Sequence, residues 1–225
     1  MDPILRDIFS HSGYFFTPYG PEGTHRLRDE LNRGEIQEPF YHWTHDPVET
    51  FSGLIGNPAY RFIFMHRDPR DAAVSWAHDL HMRRALGEKD LQQVLEVVVE
   101  HIQPPHVKAA VEWIRSDCMT ITFKEMVQDM KSVIQRILDH VGYFDADFGE
   151  RMSDTEIQRT IAKYSFEAVA GRKRGETGET IRTGYMVRKG VSGEWKTLFP
   201  PELLRRYDEK IGREIELLGY PPSMP

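Results

Sequence analysis

The chain has 225 residues, enough for one domain with a real hydrophobic core. With 28 % charged and 40 % hydrophobic residues it is neither a disordered chain nor a membrane protein. The net charge of −6 argues against a general nucleic-acid or anionic-membrane binder, while leaving room for a local basic pocket.

A single cysteine, Cys118, excludes an internal disulfide and a Cys-rich zinc site and fits a reducing compartment. The first residues lack the basic start and apolar run of a signal peptide, and the longest apolar stretch, at 97–99, is far too short to span a bilayer. A cytoplasmic location is expected.

Glycines and prolines between Gly13 and Pro39 break the first 57 residues into loops, with a short strand at 14–17 and a short helix at 25–31. Residues 60–66 are apolar, rich in β-formers and bounded by Asn57-Pro58 and Asp68-Pro69, which predicts a buried strand. A helix over 71–80 follows, with Asp68 or Pro69 at its start. Residues 89–101 carry Leu91, Val94, Leu95 and Val98 at helical spacing; Pro104-Pro105 is expected to stop that helix, and 107–114 repeats the pattern.

A second short strand is predicted at 118–123, then one long amphipathic helix over 124–141 with Gly142 as its C-cap. Ser153 and Glu156 form a capping box for a helix over 154–169. Residues 171–196 read as irregular, glycine-rich and basic. Pro200-Pro201 opens a last helix through Leu218, ended by Gly219. Strands alternating with helices predict an α/β fold with a mostly parallel sheet.

Two segments carry charge suited to an anion. His66-Arg67-Asp68-Pro69-Arg70-Asp71 stands at the carboxyl end of the first strand, where open α/β sheets bind ligands, and the next helix offers free N–H groups there. Ser75 lies one turn in, on a face that can look back at Arg67, and a guanidinium with a hydroxyl suits a phosphate monoester. The same residues also read as surface charges, Arg70 and Asp71, beside a mere N-cap, Asp68. The stretch 171–196 has a local charge excess of +4, with glycines that let backbone amides approach an anion; it also reads as a solvated loop.

Together, Arg67-Asp-Pro-Arg-Asp-Ala-Ala-Val-Ser75 and Arg188-Lys-Gly-Val-Ser-Gly-Glu-Trp-Lys196 resemble the two motifs that hold the 3′-phosphate in cytosolic-type sulfotransferases. These enzymes use 3′-phosphoadenosine 5′-phosphosulfate (PAPS) and release the bisphosphate PAP. Between the motifs, Ile121-Thr-Phe-Lys-Glu-Met126 looks like the family's Tyr-Glu-Asp-Met region, and Tyr164-Ser-Phe166 like its Thr-Ser-Phe. The resemblance covers about 40–218 and implies a single domain over 1–225 with a three-layer, P-loop NTPase-like α/β fold.

The resemblance implies that Arg67 and Ser75 bind the 3′-phosphate and that Arg188, Lys189 and Gly190 close over it. It implies that Phe166 packs on the adenine, that Phe123 stands where the family often has a tyrosine, and that Trp195 ties the loop to the body. His42-Trp43-Thr44-His45-Asp46-Pro47 looks like the family's Thr-His-Leu-Pro, which makes His45 the general base and His42 its rival. Histidine titrates near neutrality and can take the proton of an alcohol or phenol. The His-x-x-His pairs 42/45 and 78/81 lack a third ligand, so no metal is expected.

The implied acceptor is a small molecule with a hydroxyl or amine. Neither nucleic acid nor membrane is an expected partner, and the N-terminal aromatic residues leave a homo-oligomer open. One family feature is not found, the Pro-Lys-Ser-Gly-Thr-Thr loop that holds the 5′-phosphosulfate: no lysine precedes Lys89. The nearest shape, Thr17-Pro-Tyr-Gly-Pro-Glu-Gly-Thr24, has a glutamate in the lysine's place and lies close to His45 for a first strand and helix. The expectation is a chain that begins after the loop. The alternative function is therefore an inactive relative that binds PAP or serves as an interaction module.

Overall fold

The computed structural model describes residues 2–16, 21–36, 39–145, 148, 150–176, 178, 180–182 and 185–223. Helix α1 (Asp2–His11) has no counterpart among the expected elements, although Ile4, Leu5, Ile8 and Phe9 stand at helical spacing and are buried. Strand β1 (Phe15–Phe16), helix α2 (Pro21–Asn32) and strand β2 (Phe40–Tyr41) form a parallel unit. A strand and a helix therefore do precede His42, and the span suffices because each strand has only two residues. Residues 17–20 of the glycine-containing loop lie outside the described residues.

Strand β3 (Ile63–His66) pairs in parallel with β4 (Met119–Thr122), from Ile63 opposite Met119 to His66 opposite Thr122. It is shorter than the expected 60–66 and only its end, His66, is buried. Side chains alternate across this ribbon. Ile63, Met119 and Ile121 pack with α1, while Phe62 and Phe64 pack with Phe51 and Trp113 on the other face. Helix layers on both faces give the expected α/β architecture.

Helix α3 (Pro69–Met82) leaves β3 directly. Asp68 caps it by accepting from the Arg70 amide at 3.0 Å, and Pro69 stands where its missing N–H has no bond to lose. Helix α4 (Leu91–Val97) then runs through a π-helical turn, 98–102, straight into α5 (Gln103–Arg115). Pro104 and Pro105 therefore open α5 rather than stop the helix before it. At the start of α5 the two prolines lack N–H groups that have few helical partners there, and Lys210 Nζ donates to the Glu100 carbonyl at 3.0 Å.

The long helix expected at 124–141 is two, α6 (Phe123–Gln128) and α7 (Met130–His140). Asp129 breaks them at φ −150° and ψ 79°, and its carboxylate caps the second by accepting from the Ser132 amide at 3.0 Å. Gly142, at φ +71°, ends α7 as expected. Helix α8 (Asp154–Lys163) shows the full capping box, and Ser165 breaks it from α9 (Phe166–Ala170). Ser153→Ala is expected to lower stability by about 1 kcal/mol in urea denaturation.

The stretch expected to be irregular contains an antiparallel pair, β5 (Thr180–Arg182) and β6 (Tyr185–Val187), before short α10 (Trp195–Leu198) and long α11 (Pro201–Leu217). One core joins α3, α4, α5 and α11 around Val98, Tyr207 and Ile215; a second joins α1, α7 and α8 around Ile8, Ile121 and Ile137. No helix among the described residues is long and apolar enough to cross a membrane.

Candidate anion site at the end of strand β3

Arg67 is the first residue past β3. Its Nη2 donates to the Val191 carbonyl at 3.0 Å, across 124 positions of sequence. Its guanidinium lies over the Phe123 ring, 4.8 Å from the centroid. Burial pushes Arg67 below its ordinary pKa; Asp71 opposes this and the like charge of Arg188 adds to it. Its Nε is buried with no hydrogen-bond partner among the described residues.

The late loop meets it from α9 onward. Arg188 and Lys189 both reach Glu194: Arg188 grips both carboxylate oxygens, and Lys189 Nζ lies 2.8 Å from Oε1. Burial would raise the Glu194 carboxyl, but the hydrogen bonds and charge of Arg188 and Lys189 hold it down to about 2. Arg188 Nε is a second buried donor without a partner among the described residues.

Gly190 takes φ +66°, and a Cβ there would fall 2.5 Å from Phe166. Only glycine fits that turn against that ring. Arg174 Nη1 donates to the Gly190 carbonyl at 2.8 Å, and its guanidinium lies over Phe166, 5.1 Å from the centroid.

The depressed Glu194 pKa sets a pH dependence. An unfolded glutamate titrates near 4.5, so this pairing contributes fully above that pH and is lost as pH falls toward about 2. Thermal melting between pH 7 and pH 3 is expected to show stability falling below about pH 4.5, and less steeply in Glu194→Gln.

Arg70 and Asp71 are not surface charges. Arg70 is 0 % exposed and Asp71 1 %. Arg70 Nε and Nη2 donate to the two Asp68 oxygens at 2.9 and 2.8 Å, and Nη1 donates to Ser223 Oγ at 2.9 Å. Its guanidinium stacks on Trp195, 4.1 Å from the ring centroid. Asp71 accepts from the Gly193 amide at 2.6 Å and the Trp195 amide at 3.2 Å. Neither role is among the sequence expectations, though a signal was present: Arg70, Ala73, Val74 and Ala77 share one helical stripe, and all are buried.

Arg67, Phe123, Phe166, Arg188, Lys189 and Gly190 are thus linked through one continuous set of contacts. Ser75 is half-buried on α3, and no hydrogen bond among the described residues joins it to Arg67. His45 is exposed in the loop after β2, its ring edge-on to Trp43 at 4.6 Å. Partial desolvation of the ring lowers its pKa although the residue as a whole is exposed, His106 lowers it further, and Asp46 opposes them. His106 in turn meets Trp76 on α3 at 5.1 Å.

His42 shares a hydrogen bond with Thr24 Oγ1 at 3.1 Å, and Thr24 also bonds Thr44 at 3.4 Å. Thr24 is 0 % exposed, so His42 belongs to a buried polar network. Among the described residues no group of three or more His, Cys, Asp or Glu is placed to hold a metal ion.

The carboxyl end of a parallel α/β ribbon here gathers two arginines, a lysine and a tight glycine turn, a donor set chemically suited to an anion. Residues 22–219 match the family model described as sulfotransferase domain, and the chain belongs to that family. The match starts upstream of the expected 40 and includes most of α2.

The chain is similar to the 3-beta-hydroxysteroid sulfotransferase of Cavia porcellus, 23 % identical over 208 residues, covering 87 % of this chain and 69 % of that protein. It is 25 % identical over 202 residues to sulfotransferase 2B1 of Rattus norvegicus, covering 81 % of this chain but only 54 % of that one. A crystal structure of a mouse sulfotransferase complexed with PAP superposes at a TM-score of 0.61 and 19 % identity, over 95 % of this chain and 88 % of that one. This last likeness is one of fold.

Proposed function

We propose that the protein transfers the sulfuryl group of PAPS to a hydroxyl or amine of a small-molecule acceptor in the cytoplasm and releases PAP. The observation that carries this reading is the convergence of Arg67 with the 188–190 turn, joined by the Arg67–Val191 hydrogen bond. What supports a 3′-phosphate there is that Arg67 and Arg188 each keep a buried Nε donor without a partner among the described residues.

In this reading Arg67, Arg188, Lys189 and the Gly190 amide bind the phosphate, and Ser75 adds a hydroxyl. Phe166 and Phe123 supply apolar faces for the base. Bound PAPS would supply the transferable group. His45 accepts the acceptor's proton as the acceptor oxygen or nitrogen bonds to sulfur and the bond from sulfur to the phosphate oxygen breaks. Partial desolvation and His106 lower its pKa, a shift that favours the neutral imidazole, the form able to accept a proton. Its exposure favours it over His42, which is held in the Thr24 network.

A second reading is PAP binding without transfer. Transfer of labelled sulfate from PAPS to a panel of phenols, alcohols and amines decides between them. Arg67→Ala is expected to weaken PAP binding about 10–100-fold, as loss of a charge-assisted contact does. PAP binding without turnover establishes the second reading. Absent PAP binding, or binding that Arg67→Ala does not change, overturns the site.

A further inference from the structure

The buried carboxylate of Asp71 is not a ligand in the reading above, yet it holds the late loop to α3. We infer that Asp71 is a positioning residue that sets the 188–190 turn against Arg67 and thereby gives the site its preference for a 3′-phosphorylated nucleotide. The inference rests on the proposed 3′-phosphate site.

Asp71 spends both oxygens on backbone amides of the loop, Gly193 on Oδ2 and Trp195 on Oδ1. The Arg67, Arg174 and Gly175 hydrogen bonds hold the carbonyls of 189–191, and Asp71 anchors the backbone that follows them, at 193 and 195. Gly190 and Gly193 both adopt positive φ, +66° and +89°, so this is a glycine-jointed turn with wide conformational freedom before it docks. Three contacts oppose that freedom within five residues: Arg67 on the Val191 carbonyl, Asp71 on two amides, and the Arg70 guanidinium on the Trp195 ring.

All three come from the first turn of α3 or the residue that follows β3, and they act immediately after the three residues that would close on the phosphate. Asp71 is the only one that neutralises charge as well. It sits within electrostatic reach of Arg67, whose like-charged neighbour is Arg188. Without the Asp71 carboxylate Glu194 still pairs Arg188, but Arg67 loses its largest opposing charge and the 193–195 backbone loses its anchor.

An asparagine in this position keeps the shape, offers one acceptor, and turns an N–H₂ toward an amide N–H. The loop would be displaced or loosened, and only a ligand that touches 188–190 would register it.

The test is titration calorimetry of the full chain with PAP and with 5′-AMP, which lacks the 3′-phosphate. Wild type is expected to bind PAP more tightly than AMP. In Asp71→Asn, PAP affinity is expected to fall about tenfold or more while AMP affinity holds within about twofold. A merely structural role would weaken both nucleotides together. Equal weakening of both, or unchanged PAP affinity, overturns the inference. Wild type that does not distinguish PAP from AMP overturns the 3′-phosphate reading itself, and this shows before any variant is made.

If Asp71→Asn does not fold, hydrogen exchange of the wild type carries the test. The Gly193 and Trp195 amides are expected to gain protection on PAP addition and none on AMP addition. Equal protection with both nucleotides overturns the inference.

Discussion

Replacing His45 with alanine is expected to cut sulfuryl transfer about 10²–10⁴-fold, the usual span for loss of a general base. PAP affinity should stay within about twofold, because in the proposed reading His45 acts in the chemical step and not in holding the nucleotide. Initial rates with saturating PAPS, alongside PAP titration, check both halves. A fall in PAP affinity equal to the fall in rate would move His45 from chemistry to binding.

The pH profile gives a second handle. Partial desolvation and His106 lower the His45 pKa from the usual 6.5, with Asp46 in opposition. As the proposed base His45 must be neutral, so the rate is expected to fall as pH drops through that pKa, with the acid limb below 6.5. His42→Ala should behave differently. It removes a partner of buried Thr24, so the loss appears in stability.

Replacing Arg70 with alanine is expected to lower stability by about 3–5 kcal/mol, enough to unfold many domains of this size. The arginine is 0 % exposed and bidentate to Asp68. Its removal leaves the Asp68 carboxylate facing a void. It also removes the guanidinium beneath Trp195 and frees Ser223, which otherwise bridges Arg70 and Asp208. Urea denaturation followed by far-UV circular dichroism measures this. Arg70→Met, which keeps the volume, should lose less, because packing on Trp195 persists while the charge pair does not.

Much of the fold was legible because local signals and tertiary packing agree. The strand before Arg67, the Asp68 cap, the Ser153 box and the glycine ends of α7 and α11 all follow from residue chemistry at fixed spacing. Where they diverge, a single residue decides. Asp129 cuts one expected helix in two, because its side chain caps the next turn better than its backbone continues the last. Pro104 and Pro105 read as a stop, yet they open α5 after a π turn.

The site was half legible. The arginines and the glycine turn stand in sequence as a recognisable pattern. The carboxylates that organise them, Asp71 and Glu194, look like ordinary surface charge until their burial is known. Polar residues on an inward stripe have no hydropathy signature of their own, since the pattern around them sets the face.

The hydrogen bond between Arg67 and Val191 spans 124 positions. During synthesis the phosphate cradle therefore does not exist while the first strand, its helix and most of the core emerge. It comes into being only when the last forty or so residues leave the ribosome. In the proposed reading nucleotide binding is then a report on completed folding: a chain clipped before the late loop would escape capture by the ligand, and a saturating nucleotide would hold the segments around Arg67 and Val191 together against proteolysis.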